Sequence, residues 1–528
     1  MTLEPGPVAL PGTVRDLLLA RAADDRPALL AGGERWSWRE YVAGAVARAG
    51  VLSEVLDAAR PPHVGLLMDN TPEMALGLAA AGLGGHVAAG LNTTRRGAAL
   101  AADIAKADVQ VLLTDHSQRH LLDGLDPPGV RVLDTDSAEW ATLLNAGTTP
   151  PEAAPAPDSL FMLIFTSGTS GNPKAVRITH EKVSYPAAYL TARLGLTADD
   201  VHYVAMPLFH SSSVMAGWAP ALLNGATIAL AERFSASGFL PDVRSYGATY
   251  ANYVGKPLAH ILATSERPDD ADNPLRLVFG NEAGDRDIAT FAARFGCAVV
   301  DGFGSTENAV VVSRVPGTPP GSLGQPAPDV AVLSPETGEE CPRAEYDDRG
   351  RVTNLDECVG ELVNVSGAGQ FAGYYNDAAA TAARMRGGKY WSGDLAYRDA
   401  DGWVFYAGRT DDWLRVDGEN LAAAPVERLL LRHPAVSEAA VYAVADESSG
   451  DQVMAALVLT EPVTPDDFED FLAAQPDLSP KARPRFVRVV DTLPRTATNK
   501  VLKRSLRSEG PAPATWIRAA RGTSYTEI

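Results

Sequence analysis

The chain has 528 residues, 46% of them hydrophobic and 21% charged, with a formal net charge of −20. That length exceeds one ordinary domain and provides for large buried cores, and the composition is that of a globular protein, which argues against a disordered or fibrous chain. The acidity disfavours nucleic acid and anionic membrane as partners. Three scattered cysteines, Cys297, Cys341 and Cys358, form no C-x-x-C pair, so they read as reduced thiols in a cytoplasmic protein and not as a disulfide framework or zinc site.

In chain order, the N-terminus lacks the basic start and apolar core of a signal peptide. His63–Met68 reads as a buried strand, followed by a helix with Asn70 or Thr71 as cap and Pro72 in its first turn. Met74 to Leu91 is the longest small-apolar stretch. It is rich in Gly and Ala and reads as a buried helix, a glycine turn and a strand, whereas a membrane span needs about 20 strongly apolar residues. Residues 109–113, 130–133, 160–165, 227–230 and 275–279 repeat the short apolar strand pattern. Strands spaced by helices imply β-α-β units and largely parallel sheets in an α/β domain. Residues 147–158, 316–328 and 334–354 read as loops. After Arg409 a smaller α+β pattern begins, with helices near 425–432 and 465–473 and strands near 435–443 and 452–459. The expected division is therefore 1–408 and 409–528.

Four segments carry chemistry. The first, Thr166-Ser-Gly-Thr-Ser-Gly-Asn-Pro-Lys174, leaves the apolar strand near 160–165. Its glycines allow backbone N–H groups to face phosphate oxygens, its hydroxyls add donors, and Lys174 adds a cation. The bland alternative is a surface turn. The spacing differs from G-x-x-x-x-G-K-[ST], which excludes a P-loop. The second is Asp301-Gly-Phe-Gly-Ser-Thr-Glu307, after a strand near 298–300. Its aromatic ring, hydroxyl and carboxylate suit a base, a phosphate and an oxygen-seeking cation; by itself it reads more readily as a polar turn. The third joins Asp394 in Tyr390-Trp-Ser-Gly-Asp-Leu395 to Arg409 in the segment from Gly408 to Leu421. A carboxylate there can accept from ribose hydroxyls and a guanidinium can donate to ribose or phosphate. The fourth is Pro494-Arg-Thr-Ala-Thr-Asn-Lys500, whose lysine alone reads as solvated.

Together and in this order, the four segments resemble the adenylate-forming superfamily of acyl-CoA synthetases, adenylation domains and luciferases, from about Arg26 to Leu506. Pro207-Leu-Phe-His210, Gly360-Glu-Leu362 and Gly373-Tyr374 fit two weaker motifs of that family. Pro173-Lys-Ala175, Phe234-Ser-Ala-Ser237, Tyr253-Val-Gly255, Gly280-Asn-Glu282 and Gly418-Glu-Asn420 resemble the very-long-chain and steroid-type branch. The resemblance implies an AMP-forming acid–thiol ligase that uses ATP, Mg²⁺ and CoA through acyl-AMP, with a small C-terminal lid rotating between two half-reactions.

By motif, it implies that Thr166, Ser167, Gly168, Thr169, Ser170, Gly171 and Lys174 hold phosphates. Phe303 stacks on adenine with Gly280, Asn281 and Glu282 on its other edge, Asp301 and Gly302 belong to the same ATP site, Thr306 touches the α-phosphate and Glu307 binds Mg²⁺. Asp394 holds the ribose and Arg409 the ribose or phosphate, Asp411 is the hinge, and Lys500 acts in adenylation alone. Phe209, His210, Val254, Gly255 and Gly304 line the acyl pocket, and Gly418, Glu419 and Asn420 the CoA tunnel. The sequence departs from the family at Asn499, Ala175 and Phe303, where glycine, glycine and tyrosine are usual. The alternatives are an enzyme that only thioesterifies preformed acyl-AMP, one that loads a carrier protein, a luciferase-like oxygenase, and a non-catalytic acyl- or nucleotide-binding protein. A homodimer is the assembly expected of this enzyme type.

Overall fold

The computed structural model describes residues 8–146, 154–166, 173–409, 413–416, 419–446, 450–475, 477–478, 480–495, 501–511, 515–519 and 522–528. The chain gathers into two compact units, residues up to 308 together with 370–383, and residues 309–369 together with 384 onward.

The first unit contains two sheets. One has the strand order Arg131–Asp134, Val111–Thr114, His63–Leu67, Val87–Gly90, Leu160–Thr166, Lys174–Thr179. All its pairings are parallel except the last, a hairpin-like antiparallel pair flanking the first motif. The other runs Ala298–Phe303, Leu277–Asn281, Tyr250–Val254, Val201–Val204, Thr227–Leu230, Pro27–Ala31, Glu34–Ser37, again parallel up to its final pair. Every residue of His63–Leu67 and Val87–Gly90 is buried, which is why they read as continuous apolar runs without alternation.

Local chemistry sets the helix starts. Thr71 accepts from Met74 N–H and Pro72 opens helix Pro72–Gly84, which ends at left-handed Gly85 before the next strand. The helix, glycine turn and strand expected over 74–91 are therefore present. Ser37 and Glu40 form a reciprocal capping box on helix Trp38–Val55; such caps contribute about 1 kcal/mol each. In the core between helices, Tyr41 donates to Ala75 O at 2.6 Å and receives Trp218 Nε1–H at 3.0 Å. No described helix is long and apolar enough to cross a membrane.

The second unit carries an antiparallel sheet of Val330–Leu333, Gly360–Asn364, Lys389–Arg398 and Val404–Arg409, extended by Met385–Arg386. A further sheet follows, in which Val436–Asp446 and Gly450–Leu459 form a long hairpin against helices Ala423–Leu430 and Pro465–Ala473. Leu430, Val441, Leu457, Phe468, Leu472 and Trp516 fill its core. The smaller α+β pattern expected after Arg409 is thus present, but compactness divides the chain elsewhere than at 408. Residues 330–409 share packing with the C-terminal elements: Ala422 sits in one cluster with Leu395, Tyr397 and Ala407, and Arg428 donates to Tyr406 O at 2.7 Å.

Candidate active site

Three neighbouring parallel strands end side by side, and the motif residues lie at their carboxyl ends. In one transverse row Tyr253 pairs with Gly280 and Gly280 with Asp301; in the next, Val254 pairs with Asn281 and Asn281 with Gly302. The carboxyl edge of an open parallel sheet is where ligands bind in α/β folds, because strand exits there leave backbone groups and loops facing outward. The strand expected to stop near Val300 continues to Phe303, so Asp301, Gly302 and Phe303 are held by the ladder and not by a loop.

Asp301 is buried and its Oδ2 accepts from Tyr253 Oη at 2.6 Å and from Ala283 N at 3.1 Å. It ties the exits of all three strands together. Glycine is required at 280, since a Cβ there would lie 2.5 Å from both the Tyr253 carbonyl oxygen and its ring. In the orientation that satisfies its amide, Asn281 donates to Gly280 O at 2.8 Å and to Gly302 O at 3.2 Å. Glu282 leaves the strand at φ +73°, a strained conformation for a side-chain-bearing residue of the kind that collects at functional sites.

Beyond Phe303 the chain turns, and buried Thr306 faces Ser211, with hydroxyl oxygens 3.1 Å apart. Glu307 accepts from Tyr374 Oη at 2.8 Å. Lys174 Nζ stands 5.0 Å from the centre of the same Tyr374 ring, within cation–π range. One tyrosine therefore sits between the first motif's cation and the second motif's carboxylate. Thr166 and Lys174 are themselves paired across the antiparallel strands that flank the motif. Ser167, Gly168, Thr169, Ser170 and Gly171 lie outside the described residues, as do Asp411, Gly418, Asn499 and Lys500. Glu419 and Asn420 lie in strand Glu419–Ala422, facing Val416 and Arg415, and only their backbone is described.

Of the expected acyl-pocket residues, Phe209 is buried, and a Cβ on Gly90 would press on it at 2.9 Å. His210 Nδ1 lies 3.3 Å from Ser212 N–H. Val254 ends its strand and Gly255 follows at φ +76°, so glycine at 255 answers a backbone need. At Gly304 an added Cβ would meet nothing within 4 Å among the described residues. In the second unit Asp394 and Arg409 face each other in the ladder and form an ion pair at 3.1 Å, with Asp394 buried.

Sequence reading gave no role to Ser211, Tyr253 or Tyr374 and passed over Lys182. Lys182 is fully buried with its ammonium lacking a hydrogen-bond partner. Burial pushes its pKa down to about 7, and the nearby Glu307 charge works against that shift. The sequence signal was a lysine in the first turn of an otherwise half-apolar helix, His180–Leu194, which does not distinguish a buried ammonium from a solvated one.

Comparison with known proteins identifies the family. The AMP-binding enzyme family model matches residues 19–375 and its C-terminal domain model residues 425–500. The chain is 54% identical over 480 residues to the medium/long-chain-fatty-acid–CoA ligase FadD17 of Mycobacterium marinum, covering 90% of this chain and 92% of that relative. It is 46% identical over 506 residues to steroid-22-oyl-CoA synthetase of Rhodococcus jostii, covering 94% and 91%. Its fold matches o-succinylbenzoate CoA synthetase from Bacillus subtilis, solved with an acyl-adenylate intermediate, at TM-score 0.77 and 27% identity over 93% of this chain and 97% of that one. The chain belongs to the AMP-binding enzyme family, the adenylate-forming enzymes that its motifs resemble.

Proposed function

We propose that this enzyme joins a long or bulky apolar acid, of fatty, steroid or terpenoid type, to CoA through acyl-AMP. The acid's carboxylate oxygen attacks the α-phosphorus of ATP and pyrophosphate leaves. The CoA sulfur then attacks the acyl carbon and AMP leaves. The observation that carries this reading is the single sheet edge on which Val254, expected in the acyl pocket, lies in one row with Asn281 and Gly302, expected at the nucleotide. The two relatives named for fatty and steroid acids support the acid class.

The reading assigns the 166–174 loop to the β- and γ-phosphates, the ring of Phe303 to adenine, Thr306 to the α-phosphate, and Asp394 with Arg409 to the ribose. Glu307 suits Mg²⁺: it is a hard oxygen donor, and no cluster of three or more His, Cys, Asp or Glu side chains forms a metal cage among the described residues. Mg²⁺ is commonly held by one or two carboxylates plus substrate phosphates. When bound it supplies charge neutralisation on the phosphates. Positioning and charge stabilisation carry phosphorus substitution, so Lys500 belongs to adenylation, while the segment 418–420 belongs to thioester formation. Alternation of a lid hinged at Asp411, dividing the chain near 408, supplies both. The reading extends to a cytoplasmic homodimer, which light scattering checks for assembly.

Purified protein incubated with MgATP and a panel of fatty, aromatic, steroid and terpenoid acids tests the proposal, with pyrophosphate and acyl-CoA followed separately. Pyrophosphate with acyl-CoA from an apolar acid is expected. Pyrophosphate from none, with acyl-CoA made only from preformed acyl-AMP, would replace it with the thioesterification-only reading. Lys500→Ala is expected to lower pyrophosphate release on the order of 10²–10³-fold while conversion of preformed acyl-AMP to acyl-CoA stays near wild type.

A further inference from the structure

The first motif ends at Pro173 and Lys174, where strand Lys174–Thr179 begins. Lys106, the last residue of helix Gly97–Lys106, reaches it. Its Nζ donates to the Pro173 carbonyl at 3.0 Å and to Asp377 Oδ2 at 3.2 Å. The two acceptors come from segments far apart in the chain, and a single ammonium joins them.

Asp377 belongs to a short run that is itself clamped on two sides. On one side Tyr375 N donates to Ala175 O at 2.8 Å, Arg177 N donates to Gly373 O at 3.1 Å, and Tyr374 bridges Val176. This adds the run to the outer edge of strand Lys174–Thr179. On the other side Tyr375 Oη and Asn376 Nδ2 donate to Asp108 Oδ2 at 2.8 and 2.9 Å. Thr381 Oγ1 accepts from Tyr374 N at 2.9 Å and donates to Asp377 O at 3.0 Å. The same run presents Tyr374 to Lys174 and to Glu307. Burial would raise the Asp377 pKa, but the Ala380 N–H, Lys106 and the charge of Lys174 together hold it below the usual carboxylate range.

We propose that Lys106 is a positioning residue for phosphate binding: it staples the exit of the 166–174 loop to the 373–377 run, and so sets Lys174 and Tyr374 against Glu307. The inference rests on the reading that Lys174 binds phosphate and goes beyond it, since Lys106 touches neither nucleotide nor acid in that reading. The staple acts on the part of ATP that contains β- and γ-phosphates and leaves AMP indifferent. Displacing a positioned group by about 1 Å can cost up to 10²-fold.

The test uses the full-length protein, with affinity measured calorimetrically for Mg·α,β-methylene-ATP and for AMP. Lys106→Met and Asp377→Asn should each weaken the triphosphate analogue on the order of tenfold and leave AMP affinity and the thermal midpoint near wild type. Lys106→Arg should recover most of the loss. The double variant should be no worse than the poorer single one, because both remove the same link. Wild-type affinity for the analogue in Lys106→Met, equal losses for AMP, or additive losses in the double variant would overturn the proposal. Failure of the wild-type protein to bind either nucleotide would overturn the proposed function itself, and the role of Lys106 with it.

Discussion

Among the described residues, Lys182 is one whose chemistry and surroundings conflict. Its ammonium is fully buried without a hydrogen bond and its pKa falls from 10.5 to about 7. Between those values the unfolded chain carries a proton that the folded chain has shed, so stability rises with pH through that window. At and below pH 7 the cost of burying the charge is present in full. Replacement by neutral Met keeps the stem's packing and removes that cost. Lys182→Met is therefore expected to raise the thermal midpoint by several degrees at pH 7, reflecting on the order of 2–4 kcal/mol, and by clearly less at pH 9.5. A thermal-shift series over that range checks it; an equal gain at both ends would mean the charge plays no part.

At the scale of elements, the site depends on how the three strand exits register. Tyr253, Gly280 and Asp301 share one row, and the Tyr253 hydroxyl reaches Asp301 only because Gly280 between them has no side chain. Gly280→Ala forces either the ring or the backbone aside. It is expected to destabilise the protein by about 1–3 kcal/mol and to weaken nucleotide binding at the same time. Tyr253→Phe removes one buried hydrogen bond while Ala283 N–H still satisfies Asp301, so its cost should be nearer 1 kcal/mol. Thermal shift with and without MgATP separates the two. Equal effects of the two variants would show that the row's steric fit is not what holds the edge.

At the scale of the whole molecule, three buried histidines of the first unit make stability sensitive to acid. His86, His180 and His202 are buried there, and burial lowers each pKa from 6.5 to about 4. Each stays neutral when folded but takes a proton when unfolded, so stability is lost as pH falls from 6.5 towards 4. Both ring nitrogens of His180 lack partners and its ring lies 5.3 Å from Phe161. His180→Phe should shrink the drop in thermal midpoint between pH 7 and pH 5. An unchanged drop would place the acid-labile group elsewhere.

Much of this architecture was readable before the fold. The strands expected at 63–68, 160–165 and 227–230 occur within a residue or so of their limits, because a strand buried on both faces must be a short apolar run and its ends are marked by Gly, Pro and polar turn residues. The chemical character of residues 166–174 and 301–307 was readable too, since phosphates and cations demand local combinations of glycine, hydroxyl, lysine and carboxylate. The sequence by itself determined the superfamily and the alternation of strands and helices. What only the tertiary structure decided was which groups meet: Tyr374 with Glu307, Ser211 with Thr306, Lys106 with Asp377, and the orphaned burial of Lys182. It also separated Gly255, which needs glycine for its left-handed backbone angle, from Gly304, which does not. These pairings depend on strand register and on close packing between segments distant in the chain, and neither leaves a periodic or compositional mark on the sequence around a single residue.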